Sequence, residues 1–157
     1  MSDTELSERI FHALQDRGLT VAMAESLTGG LVSSALIDVP GSSAVVRGGV
    51  IAYATDLKAT LLSVDAALLA ERGAVDADVA VAMADGVRAL TGADIGLATT
   101  GVAGPDGQDG IAPGVVFVAV TGAVSGLEEH MFAGSRNAVR AASVVAVLRL
   151  LDRLLAG

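Results

Sequence analysis

Lys58 is the only lysine in the chain; the other nine basic residues are arginines. It stands five residues after Tyr53, the only tyrosine. Arginine stays charged and does not move protons, whereas a lysine can be brought toward neutrality by desolvation or by a nearby positive charge. Upstream, Glu25-Ser-Leu-Thr-Gly-Gly30 carries a serine and a threonine beside two glycines. A serine that attacks a carbonyl needs a general base, and Ser–Lys pairs serve without histidine. The plainer alternatives are a solvated Lys58, and a helix cap at Ser26 or Thr28 followed by close-packed glycines.

Two further segments suit an anionic ligand. Thr99-Thr-Gly-Val-Ala-Gly-Pro-Asp-Gly107 follows a strand pattern, and such a turn presents backbone N–H groups to an anion or an oxyanion, or is an ordinary connection. Gly134-Ser-Arg-Asn-Ala-Val-Arg140 places Arg136 and Arg140 on one face of the first turns of a helix, where the dipole already favours a phosphate or carboxylate. Pairing of these arginines with acidic residues is the alternative. His12 falls on the polar side of a helix, and His130, near a strand end, has no supporting motif. Asp106 and Asp109 are too sparse for a cation cage.

These residues need elements to carry them. Ser2-Asp-Thr-Glu5 reads as a capping box, and Leu6, Ile10, Ala13 and Leu14 recur at helical spacing, which predicts a helix over residues 4–17 stopped by Gly18. A buried strand is expected at 20–24 and a helix at 31–37, with the Ser26 turn between them. A strand interrupted by Gly48-Gly49 is expected at 45–53, then helices at 55–62, 65–72 and 76–90. A strand at 95–99 leads into a glycine-rich loop over 101–114. A hairpin of 115–121 and 127–132 precedes a last helix, capped by Ser135 and running to about 155. This order implies one three-layer α/β/α sandwich domain with a mixed sheet. In such sheets ligands bind beyond the carboxyl ends of strands, where free N–H groups at a helix start attract anions.

Composition narrows the function. Hydrophobic residues make up 52% of 157, but aromatics only 3%, so the core is built from small aliphatics. A formal net charge of -8 argues against a nucleic-acid-binding face, which needs clustered Lys and Arg. With no Cys, thiolate chemistry, disulfides and Cys-based zinc sites are excluded. Two separated histidines and no acidic cluster at ligand spacing give no reason to expect a metal or other cofactor. No long apolar run reads as a membrane span and the polar start is not a secretory signal, so a cytoplasmic protein is expected. Apolar residues on several sides of the last helix leave room for a homo-oligomeric interface.

Taken in order, Glu25-Ser-Leu-Thr-Gly-Gly30, Gly48-Gly49 with Tyr53 and Lys58, Gly73-Ala-Val75, Thr100-Gly-Val-Ala-Gly-Pro105 and the pair Arg136 and Arg140 resemble the CinA C-terminal domain family. The resemblance covers nearly the whole chain. No molybdopterin-binding-like domain precedes these motifs, so the chain resembles the family's stand-alone nicotinamide-nucleotide amidases. That implies conversion of nicotinamide mononucleotide to nicotinic acid mononucleotide and ammonia, with no direct nucleic-acid or membrane partner. It implies Ser26 as nucleophile, with Tyr53 and Lys58 as polar partners and either one taking the proton. It implies substrate contacts from Glu25, Thr28, Gly29 and Gly30, from Thr100, Gly101, Ala103 and Gly104, and from Arg136 and Arg140, without saying which loop holds the phosphate. Three departures stand out: Leu27 replaces a common Cys, Asp106-Gly-Gln-Asp-Gly110 replaces Gly-Gly, and Ala112-Pro-Gly-Val115 replaces Pro-Val-Gly-Thr, so the third loop is expected to differ in shape. The other class of function is a nucleotide-binding member without catalysis, with a role in competence or DNA damage.

Overall fold

The computed structural model describes residues Met1–Gly157. In chain order the elements are α1 (Asp3–Arg17), β1 (Val21–Glu25), α2 (Leu31–Ile37), β2 (Val46–Ile51), α3 (Thr55–Leu62), α4 (Ala66–Arg72), α5 (Ala77–Thr91), β3 (Ile95–Gly101), β4 (Val115–Gly122), β5 (Gly126–Met131) and α6 (Arg136–Ala156). The strands form one sheet in the order β2-β1-β3-β4-β5. The first three are parallel, and β4 and β5 add antiparallel. The fold is the expected α/β class with a mixed sheet.

Strand alternation makes the three layers. Val21, Met23, Ile95, Leu97, Val116, Val118 and Val120 pack with residues of α1, α2 and α6 in one core. Their neighbours Ala22, Ala24, Ala98 and Ala119 face the other way, into a core with α3, α4 and α5. One side of the sheet therefore presents larger aliphatic side chains, and the centre of the other mostly methyl groups, with Val50 and Phe117 packed beside them. On the small side α5 comes down to backbone contact: a Cβ on Gly96 would lie 2.1 Å from the Ala84 carbonyl oxygen. Across α5, a Cβ on Gly86 would lie 1.9 Å from the Leu62 carbonyl at the end of α3. Packing of this kind explains a half-hydrophobic chain with few aromatics.

Local signals behave as their chemistry requires. Ser2 and Glu5 form both bonds of a capping box. Gly18 closes α1 at φ 64°, where a side chain would be strained. Asp65 and Asp76 cap α4 and α5, and Ser135 caps α6. Two strand ends differ from expectation by two residues, and the others by one at most. β2 stops at Ile51: Ala52 still donates to the Glu25 carbonyl at 2.8 Å, and the chain then turns into α3. β3 runs to Gly101, since Thr100 and Gly101 still pair with Phe117 and Val116 of β4. Gly48-Gly49 does not break β2; the register with β1 shifts there, leaving a bulge after Val46.

The apolar residues of α6 divide, with Val144 and Val145 only part-buried. Val147, Leu148 and Leu151 are fully buried in the core shared with α1 and the sheet. His12 is exposed, as expected, with its ring edge against Phe11. His130 lies on β5, stacked on Phe132 and bonded to Glu128, on the opposite side of β4 from β1 and Ser26. No helix is long and apolar enough to cross a membrane.

Candidate active site

β1 ends at Glu25 in the middle of the parallel part of the sheet, and Ser26 is the first residue past its edge. Its N–H donates to the Thr99 carbonyl at 3.1 Å, and its carbonyl accepts from Gly29 at 3.1 Å. The turn is thus tied to β3 and folded on itself, with Gly29 and Gly30 at positive φ (56° and 100°). The Ser26 side chain faces a cavity of about 230 Å³ walled by Leu27, Tyr53, Ala74, Thr100, residues 102–104, Asp106, Gln108 and Arg136.

Lys58 enters this site from beneath. It lies on the inner face of α3 and is only 1% exposed. Its Nζ donates to Ser26 Oγ at 2.8 Å, to the Ala52 carbonyl at 2.7 Å and to the Tyr53 carbonyl at 3.4 Å. No carboxylate compensates it. Burial alone pushes the amine down from its ordinary 10.5 to about 8. A lysine so lowered is partly neutral near neutral pH, and in that form it is able to accept a proton from the hydroxyl it touches.

Tyr53 is not a second partner of Ser26. Its ring stands at the cavity mouth, 59% exposed, and its hydroxyl accepts from Arg136 Nη2 at 2.9 Å. Arg136 also donates to the Gly104 carbonyl at 2.7 Å, so it bridges the β2–α3 connection and the third loop across the mouth. No carboxylate pairs with it.

The other expected contacts divide. Ala103 and Gly104 line the cavity, and their N–H groups, like that of Leu27, make no hydrogen bond within the chain. Three unengaged donors beside a serine can take an oxyanion or a substrate oxygen. Thr100 and Gly101 are wall residues, with the Thr100 hydroxyl bonded to the Ala74 carbonyl at 2.6 Å. Thr28 is fully buried and shares a 2.8 Å hydrogen bond with Thr99, so it braces the turn from below.

Thr28, Gly29 and Gly30, expected as substrate contacts, belong to the turn behind the cavity and do not line it. Two further expectations are corrected. Arg140 does not reach the cavity: it donates to the Leu27 carbonyl at 2.8 Å and the Thr28 carbonyl at 3.3 Å, and its guanidinium covers Gly29. Glu25 does not face a ligand either. Its carboxylate turns back onto α2 and accepts from Val32 N–H, Ser33 N–H and the Ser33 hydroxyl. The first N–H groups of α2 are therefore already occupied, and the anion-binding role expected of that helix start is filled by the chain's own side chain. The sequence reading assigned no role to Ala52, whose carbonyl orients Lys58, or to Ala74, which receives Thr100. Gly73-Ala-Val75 as a motif was the signal for the second.

Residues 3–155 match the model of the CinA C-terminal domain. The chain belongs to that family. A CinA-like protein of Frankia casuarinae is 45% identical over 157 residues, covering 99% of this chain and 36% of the relative. A CinA-like protein of Geobacter sulfurreducens is 44% identical over 155 residues, covering 98% and 38%. The chain thus spans little more than a third of the length of these curated relatives. Among solved structures, a CinA superfamily protein from Klebsiella pneumoniae superposes with a TM-score of 0.95 at 34% identity, covering 99% of each chain. A competence/damage inducible protein from Agrobacterium tumefaciens gives 0.93 at 35% identity, covering 98% of this chain and 96% of its own.

Proposed function

We propose that the chain is an amidohydrolase that converts nicotinamide mononucleotide to nicotinic acid mononucleotide and ammonia. The observation that carries this reading is the buried 2.8 Å contact between Lys58 Nζ and Ser26 Oγ, with no carboxylate to hold the amine charged. Neutral Lys58 takes the Ser26 proton as Oγ attacks the carboxamide carbon. The N–H groups of Leu27, Ala103 and Gly104 are the donors available to the resulting oxyanion. Lys58, now protonated, returns its proton to the departing nitrogen, which leaves as ammonia. A water then attacks the Ser26 ester, giving its proton to Lys58, and the acid is released as Ser26 is reprotonated.

Arg136, at the cavity mouth with no acidic partner, supplies the positive charge for the 5′-phosphate. The same reading takes the protein as a cytoplasmic homo-oligomer acting on a small nucleotide, without nucleic-acid or membrane partners; the net charge of -8 supports the last point.

The test is incubation of the purified protein with nicotinamide mononucleotide, following ammonia and the acid product together. Stoichiometric release of both is expected. Tight binding of the mononucleotide with no ammonia would make the chain a nucleotide-binding member of the family instead.

A further inference from the structure

We propose that Glu25 is a positioning residue for the Ser26–Lys58 pair, a role that rests on Ser26 being the nucleophile. Glu25 directly precedes Ser26 and is 1% exposed. One carboxylate oxygen accepts from Val32 N–H at 2.8 Å; the other accepts from the N–H and the hydroxyl of Ser33 at 3.0 and 2.7 Å. No basic side chain pairs with it. A buried anion held only by neutral donors is a costly way to cap a helix. The ordinary solution is Ser, Thr, Asp or Asn at the cap position, which here is Gly30 and provides no side chain. Capping from Glu25 instead fastens α2 to the end of β1, so α2 cannot shift without carrying Ser26 with it. Room is kept for this contact: a Cβ on Gly49 would lie 2.6 Å from the Ser33 hydroxyl.

The main chain of the same residue sets the base. The Glu25 carbonyl accepts from Ala52 N–H at 2.8 Å. The Ala52 carbonyl accepts from Lys58 Nζ at 2.7 Å, and Nζ donates to Ser26 Oγ at 2.8 Å. With the Glu25–Ser26 peptide bond these contacts close a ring through Glu25, Ala52, Lys58 and Ser26. The side chain of Glu25 anchors the ring to α2, and its carbonyl fixes where Lys58 stands. Nucleophile and base are thereby registered from one residue that touches neither reacting atom.

Glu25→Gln keeps size and shape but turns an amide NH2 toward a donor. Ser33→Ala removes one of the three bonds and leaves the carboxylate in place. For ammonia release from nicotinamide mononucleotide, Glu25→Gln should lower kcat by about 10- to 100-fold, the cost of a misplacement on the scale of an ångström. KM should stay within about twofold and the pH profile should not move, since no group in proton transfer is altered. Ser33→Ala should fall between wild type and Glu25→Gln. A second readout is the rate at which a fluorophosphonate probe is attacked by Ser26, forming the Oγ–P bond as fluoride leaves; it should fall by the same factor. If wild type is labelled but releases no ammonia, the substrate reading fails and the labelling rates alone decide on Glu25. Wild-type turnover and labelling in both variants would overturn the proposal, as would a raised KM at unchanged kcat, which would mean that Glu25 touches substrate. A wild type neither labelled nor active would overturn the nucleophile and this role together. Should Glu25→Gln fail to fold, Ser33→Ala decides: wild-type rates there refute the proposal.

Discussion

Replacing Lys58 separates a base from a mere positive charge. With the amine near 8, about 9% of the protein holds it neutral at pH 7 and about 91% at pH 9. If the neutral fraction limits turnover, kcat/KM, which reports the free protein, should rise about tenfold across that interval and level off above it. A lysine at its ordinary 10.5 would give a different curve, rising about 100-fold over the same range with no plateau. The assay is initial-rate ammonia release from nicotinamide mononucleotide held well below its KM, in buffers of constant ionic strength. Lys58→Arg keeps a charge near Ser26 but supplies no proton acceptor, and Lys58→Met supplies neither. Both should lose about 10²- to 10⁴-fold in kcat, the usual contribution of a general base. A difference between them in KM would measure what the charge adds to binding. A Lys58→Arg protein with near-normal kcat and an unchanged pH profile would refute the assignment.

The remaining expectations follow from individual contacts. Ser26→Ala should abolish ammonia release while leaving mononucleotide binding, measured by calorimetry, close to wild type; retained turnover would exclude a covalent serine. Arg136→Ala should raise KM for the mononucleotide by about 10- to 150-fold, the equivalent of about 1.5–3 kcal/mol, and change KM for the phosphate-free nucleoside far less; Arg140→Ala should instead lower kcat equally for both, because it releases the Leu27 and Thr28 carbonyls. Folding stability should rise between pH 8 and about 10.5, since the unfolded chain holds the Lys58 proton in that window and the folded one does not; the total is at most about 3 kcal/mol, and denaturant titration of Lys58→Met should lack that slope. Dialysis against a chelator should leave full activity, and activity restored only by zinc or magnesium would contradict the proposed chemistry.

The contact between Ser26 and Lys58 was legible from residue types. A single lysine among arginines, and a serine at a strand-to-helix turn, point to each other without any knowledge of distance. The layers were legible because helical spacing in α1 and the order of helices and strands along the chain imply a sheet covered by helices on both faces. Glu25 and Arg140 were misread because their types fit either a ligand or the backbone. A carboxylate before a helix start serves an incoming cation or the helix's own N–H groups, and only the path of residues 26–30 decides which. Arg136 and Arg140 share a helix face, yet one turn of rise lets the first reach the cavity mouth and the second the turn behind it. The reach of β3 to Gly101 was hidden for a related reason: its last pairs depend on β4, and glycine there reads locally as loop.

Tyr53 has a use that does not depend on its part in the reaction. The chain contains no tryptophan and no second tyrosine. Near-ultraviolet emission excited at the red edge of the phenol band therefore comes from one ring, and that ring stands at the cavity mouth with its hydroxyl on Arg136. The unlabelled protein carries its own optical reporter at the candidate site. Any occupant that stacks on the phenol or displaces Arg136 will change that emission, and nothing elsewhere in the molecule contributes a tyrosine or tryptophan background.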